Sequence, residues 1–212
     1  MEEQIINMPA VALRGLTILP GMIAHFDVSR ERSLRAIEEA MEQDQRIYLV
    51  TQSNVDREDP TQEDLYQMGI VADIKQVVRL QNDVVRILVD GISRAKLLGF
   101  TGCEKFLEAE ICYCDSNADS LPEDLNEAML LGVREAFHRY AAVIGKISKE
   151  LIRQIDQYED LEKLIDYVTN NLPVSYELKQ QVLEAEDIND RYQVIVSLLL
   201  SQVEVISIKN EL

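Results

Sequence analysis

The sequence predicts an α+β protein in two parts, β-rich over residues 1–117 and all-α over residues 118–212. Three observations carry this. Residues 69–100 alternate apolar and polar side chains along two arms, the period of a half-buried strand. Residues 115–120, Asp-Ser-Asn-Ala-Asp-Ser, are a polar break. Beyond it the apolar residues recur at helical spacing to the C-terminus.

Residues 5–13 read as a first strand, with Pro9 marking an edge or a bulge. Pro20-Gly21 is turn chemistry, yet Leu16, Ile18, Leu19, Met22 and Ile23 surround it. Such a turn either tucks under the sheet or displays an apolar patch, and both readings stand. Ser29 is placed to cap a helix whose Leu34, Ala36, Ile37, Ala40 and Met41 lie at helical spacing. Arg30, Arg32 and Arg35 make its start the densest basic cluster in the chain. They read either as a solvated face or as a contact for a partner or a neighbouring domain. Residues 46–51 form a strand, and the acidic stretch 53–64 has no periodicity and reads as a loop.

The long hairpin follows. On its first arm Ile70, Ala72, Ile74, Val78 and Leu80 are expected on one face, and on its second Val85, Ile87 and Val89. Asn82-Asp83 suits a tight turn because both tolerate positive φ. Gly91 interrupts the second arm, where a bulge or a close backbone approach is expected. Residues 106–114 add a strand, for about six strands and one covering helix in all.

In the second part Ser120 and Pro122 open a helix with Leu125, Met129, Ala136, Phe137, Tyr140 and Ile144 inward, ended by Gly145. Ser148, Asp160 and Ser175 open three shorter helices, and the lengths and loops describe a bundle. Asp187 caps the last and longest helix. Its Ile188, Tyr192, Ile195, Leu199, Gln202 and Ile206 form a seam that either packs into the bundle or pairs between chains. Its end has no Gly or Pro, and Glu211 opposes the helix dipole. The expectation is a helix that continues into more protein or is cut in mid-course.

Composition narrows the function. The net charge is -17, divided as -8 over residues 1–118 and -9 over 119–212, so phosphate-backbone binding and nucleic-acid partners are disfavoured. No apolar run reaches the length of a membrane span, and Met1-Glu2-Glu3-Gln4 is unlike a secretory or transit leader, so a cytoplasmic protein without a membrane partner is expected. Cys103, Cys112 and Cys114 read as reduced, packed thiols. With only His25 and His138 beside them, no metal set is expected. No phosphate-cradling Gly-rich Lys loop and no nucleophile–base set occurs, so no catalysis and no cofactor are expected of residues 1–212 themselves.

Several segments resemble the N-terminal (LON) domain of bacterial Lon-family ATP-dependent proteases. They are Leu13-Arg14, Pro20-Gly21-Met22 and Arg30-Glu31-Arg32-Ser33, then Gly69-x-Val71-Ala72 and Val89-x-Gly91-x-x-Arg94-Ala95, and last Val182-Leu183-Glu184, Asp187-Ile188-Asn189 and Arg191. The chain departs from the family pattern at Ala12, Gly15, His25, Asp27 and Ser29, around the apolar turn. The resemblance implies a six-stranded, PUA-like β-barrel with one covering helix, then a helical bundle running into a long linker helix. It implies a non-catalytic substrate-recognition and assembly domain. The parent would be a hexameric serine protease that uses ATP and Mg and degrades misfolded, damaged and short-lived regulatory proteins. The partners implied are unfolded or damaged proteins and further copies of the chain. Selecting many sequences requires exposed apolar surface on a well-solvated carrier, which nominates Leu16, Ile18, Leu19, Met22, Ile23 and Phe26 for substrate, while the basic cluster nominates Arg30, Arg32 and Arg35 for a partner or neighbouring domain. The alternative is a stand-alone LON-domain adaptor or ligand receptor without protease activity.

Overall fold

The computed structural model describes residues 3–212, so the Met1 and Glu2 part of the leader reading lies outside the described residues. Contacts divide the chain into two compact units that meet between Cys114 and Asp115. The sequence reading set the boundary at 117/118.

The first unit holds β1 (Ile5–Leu13), β2 (Ile23–Val28), α1 (Glu31–Glu42), β3 (Arg46–Thr51), β4 (Met68–Arg79), β5 (Val85–Phe100) and β6 (Glu108–Tyr113). The strand order is β2-β5-β4-β3-β1-β6, and a further β5–β6 pairing closes the sheet on itself. Closure is possible because β5 is 16 residues long. Its first half pairs with β2 and its second half with β6, while β4 runs along both. The sheet is mixed, since β1 and β3 run parallel and the other pairs are antiparallel. β1 is an interior strand, not an edge. Pro9 is tolerated because the ladder to β3 begins only at Ala10, so β6 alone pairs with Pro9.

Both faces of the central strands are dry. One core cluster holds Val11, Leu13, Ile47, Leu49, Ile70, Ala72, Ile74, Ile87 and Val89, with Ile37 and Ala40 of α1. The other holds Ala10, Ala12, Tyr48, Val50, Val71, Ala95, Leu97 and Ile111. β5 serves both clusters because Ile92 is an extra residue between the pairs Ala72↔Gly91 and Val71↔Ser93. One inserted residue reverses which face the odd positions occupy, so Ile87 and Val89 enter one cluster and Ala95 and Leu97 the other. A second irregularity at Lys75 corrects the expected face of β4. Val77 packs inward, and Val78 and Leu80 are exposed.

Two glycines of the family-like segments, Gly69 and Gly91, make these contacts possible. A methyl group on Gly69 would sit 2.5 Å from the Tyr48 ring, whose hydroxyl donates to Ala95 O at 2.9 Å. A methyl group on Gly91 would sit 2.4 Å from Leu19 O. The hairpin turn is as expected, with Asn82 and Asp83 at φ 61° and 58°. α1 begins one residue later than read. Arg30 is its N-cap, no side chain caps it, and Met41 is exposed while Ser33, Ala36, Ile37 and Ala40 are buried.

The second unit holds α2 (Glu123–Ile144), α3 (Lys149–Gln157), α4 (Leu161–Asn170), α5 (Tyr176–Glu184) and α6 (Ile188–Glu211). Gly145 ends α2 in the left-handed region, and Ser148, Asp160 and Asp187 cap α3, α4 and α6 through their side chains. Two expectations are corrected. Ser120, expected to open α2, does not cap it, because Pro122 occupies the N-cap, and Leu125, expected inward, is exposed while Leu130 and Val133 are buried. α6 packs on α2, α4 and α5 through Ile188, Ile195, Leu198 and Leu199. Its Arg191 is buried too, donating to Ala185 O and Glu186 O and pairing with Glu162 at 3.1 Å.

Candidate functional site

The apolar turn before β2 is clamped to the β5 bulge. Gly21 N–H donates to Gly91 O at 2.8 Å, and Gly91 N–H donates to Met22 O at 2.9 Å. This pulls Ile18 and Leu19 into the core, where neither has an accessible surface for a partner. Leu16, Met22 and Phe26 are half-buried against the same cluster. Ile23 is 68% exposed. The six residues nominated for substrate are therefore two buried anchors, three half-buried wall residues and one exposed side chain. On the outward face of β2, Ile23 and His25 are followed by Asp27, which Arg86 of β5 grips with two hydrogen bonds of 2.7 and 3.1 Å. Those bonds hold the Asp27 carboxyl below its ordinary range.

A cavity of about 180 Å³ lies between β1, β2 and the start of α1. Leu13, Leu16, Phe26 and Val28 form its apolar wall, and Arg14, Ser29, Arg30 and Ser33 its polar one. The last four also line an adjoining open cleft, with Glu58 and Asp59 on its rim. Residues nominated separately, Leu16 and Phe26 for substrate and Arg30 for a partner, thus share one cavity.

The polar wall is organised by Gln52, which is fully buried. Its side-chain oxygen accepts from Arg30 Nη2 at 2.7 Å and from Arg14 Nε at 3.4 Å. Its amide nitrogen donates to Asn54 O and Arg57 O, and Arg14 Nη2 also donates to Arg57 O. The acidic stretch is thereby anchored, and it carries a short 3-10 turn, Gln62–Asp64, with a Thr61–Asp64 capping box. Burial and the neighbouring Arg14 charge both lower the Arg30 pKa. Arg32 and Arg35 are placed differently. Arg32 donates to Cys103 O and Phe106 O, and Arg35 donates to Lys105 O and pairs with Glu31. Sequence reasoning missed Arg14 and Gln52. Their signal was position: Arg14 follows β1 and Gln52 follows β3, and parallel neighbours that end together bring their next residues together.

Among the described residues no group of three or more His, Cys, Asp and Glu side chains could hold a metal ion. Cys112 is buried, and Cys114 Sγ lies 3.5 Å from Met68 Sδ. In the second unit His138 Nε2 meets Asp156 Oδ1 at 2.7 Å on the surface. α6 is long and apolar enough, by length and composition alone, to cross a membrane. That qualifies the expectation of no such segment, although one stripe of the helix is packed inside its unit.

Comparison with known proteins agrees with the fold. Residues 7–201 match the model of the ATP-dependent protease La (LON) substrate-binding domain. Lon protease of Lachnoclostridium phytofermentans is 36% identical over 212 residues, 100% of this chain and 26% of that protein. Lon protease of Clostridioides difficile is 33% identical over 209 residues, 97% of this chain and 27% of that protein. The chain therefore spans about a quarter of the length of the curated relatives it matches. Among solved structures, the N-terminal domain of Mycobacterium avium complex Lon protease superposes with a TM-score of 0.73 at 19% identity, over 92% of this chain and 98% of that one. The Lon N-terminal domain protein from Xanthomonas campestris gives 0.60 at 13%, over 91% and 98%. A family match over residues 7–201, with relatives 36% and 33% identical over 100% and 97% of this chain, shows that the chain belongs to the Lon N-terminal substrate-binding domain family.

Proposed function

We propose that this chain selects unfolded or damaged polypeptides for a cytoplasmic Lon-type serine protease, in which it forms the N-terminal part of each subunit of a homo-oligomeric ring. ATP and Mg would act in the motor of that parent, and the chain itself would contribute binding without chemistry. The observation that carries the reading is the exposed Ile23 beside Met22, on a turn fixed by two backbone hydrogen bonds to β5. An apolar projection on a rigid base presents the same contact to many sequences without ordering itself at each encounter. Met22 adds a flexible, polarisable side chain suited to varied partners. The strongly acidic remainder keeps such a surface dissolved.

The test is a double substitution, Met22→Gln with Ile23→Ser, titrated with a fluorescent unfolded protein. Ile23 lies outside the core and Met22 is half-buried against it, so the fold is expected to stand within about 2 kcal/mol, while affinity for the unfolded chain falls about tenfold. Unchanged affinity would remove this surface from substrate binding.

A further inference from the structure

We propose that the cavity between β1, β2 and α1 binds the C-terminus of a polypeptide, its free carboxylate on Arg14 and Arg30 and its last apolar side chain against Leu16 and Phe26. The inference rests on the substrate-recognition reading and names a class of substrate for it.

Charge is the first argument. In a protein of net charge -17, two guanidinium groups converge here on one neutral amide oxygen. Among the described residues, no carboxylate lies within ion-pair distance of either group. Asp27, the carboxylate in the cavity lining, is committed to Arg86. Glu58 and Asp59 reach Arg30 only as longer-range charges from the rim. A guanidinium has five N–H donors. Arg30 uses one on Gln52, and Arg14 uses two, on Gln52 and Arg57 O. Donors therefore remain for a planar, two-oxygen acceptor. The first turn of α1 has no side-chain cap and opens at the same place, and its one acidic residue, Glu31, is paired with Arg35.

Shape is the second argument. At about 180 Å³ the cavity exceeds the roughly 150 Å³ that accommodates a benzene molecule in an engineered core, so one aliphatic or aromatic side chain fits. The cation pair and the apolar wall line the same small space. A C-terminal residue carries both matching groups, carboxylate and side chain, on one Cα. An internal Asp or Glu would satisfy the arginines and leave the apolar wall bare, and an inorganic anion would do the same.

The experiment titrates the 212-residue chain, by fluorescence anisotropy, with short labelled peptides ending in Leu or Phe. Each is made with a free carboxylate and with a C-terminal amide. The free acid is expected to bind about tenfold or more tightly than the amide, with the difference shrinking at high salt. Replacing the final Leu by Ser should cost a similar factor. Arg14→Gln and Arg30→Gln should abolish the preference for the acid, and Asp59→Asn with Glu58→Gln should strengthen it. Equal binding of acid and amide overturns the proposal, and this arm alters no residue of the protein. Competition by inorganic phosphate as strong as by the unlabelled peptide also overturns it, leaving a general anion site. An unfolded reporter protein titrated in parallel separates the two readings. Binding of the reporter without a carboxylate preference refutes only this proposal, whereas a carboxylate preference without reporter binding refutes only the broader one.

Discussion

Replacing Gly91 with alanine should loosen the apolar turn from β5. The new methyl would lie 2.4 Å from Leu19 O, 2.9 Å from Ile70 Cδ1 and 3.2 Å from Ile18 Cγ2. The first of these is backbone, so a rotamer change cannot relieve it. Either the core accepts an overpacked methyl, at about 1–3 kcal/mol, or the turn retreats. Retreat stretches the hydrogen bonds Gly21 N–H to Gly91 O and Gly91 N–H to Met22 O, each contributing about 1 kcal/mol. By either route the cost is about 1–3 kcal/mol, a large share of the 5–15 kcal/mol that a domain commonly has. Gly99→Ala is the control. Its methyl would meet only Gln62 Oε1, at an ordinary 3.6 Å, and should change stability by less than about 0.5 kcal/mol. Scanning calorimetry on the two variants and the parent checks this, since the β unit's transition should fall by about 4–15 °C in Gly91→Ala alone. Equal transitions in the two variants, or a Gly91→Ala shift as small as the control's, would refute the packing argument and with it the rigid base assigned to Met22 and Ile23.

Two further outcomes concern the helical unit. Arg191→Ala removes a buried guanidinium that serves Ala185 O, Glu186 O and Glu162, and should lower that unit's stability in urea titration by about 3 kcal/mol. The Asp187 carboxylate accepts from the backbone N–H of Asn189 first and from the Asn117 amide next, and these bonds hold its pKa below the ordinary 3.8. A depressed carboxylate stabilises the fold above its unfolded pKa, and that contribution is lost as pH falls through the folded value. Asp187→Asn keeps a capping side chain and has no proton to take up. Below about pH 4 the thermal midpoint of the parent should therefore fall more steeply than that of the variant.

Periodicity carried most of the fold because strands and helices with one dry face announce themselves in sequence. It failed where an inserted residue reset the phase. The irregularity at Lys75 moved the buried position from Val78 to Val77, and neither residue type signals the shift. β2 is blurred for a related reason, since exposed Ile23 opens a strand whose buried face is Ala24, Phe26 and Val28. Closure of the sheet depends on which stretch of β5 faces which strand, and a sequence does not state that pairing. Gly91 was legible because only a residue without a side chain admits such an approach. The apolar turn was half legible: its composition marked it, but whether Ile18 and Leu19 were core or surface depended on two backbone hydrogen bonds. The arginine pair was hidden in another way. Arg14 and Arg30 meet only through Gln52, a neutral residue distant from both in sequence.

The most direct test of substrate recognition is the affinity of the chain for one fluorescent reporter protein in its unfolded and native forms, under matched conditions. Recognition through an exposed apolar surface predicts that the unfolded form binds and the native form does not. Equal affinity for the two forms, or no binding of either, would contradict it.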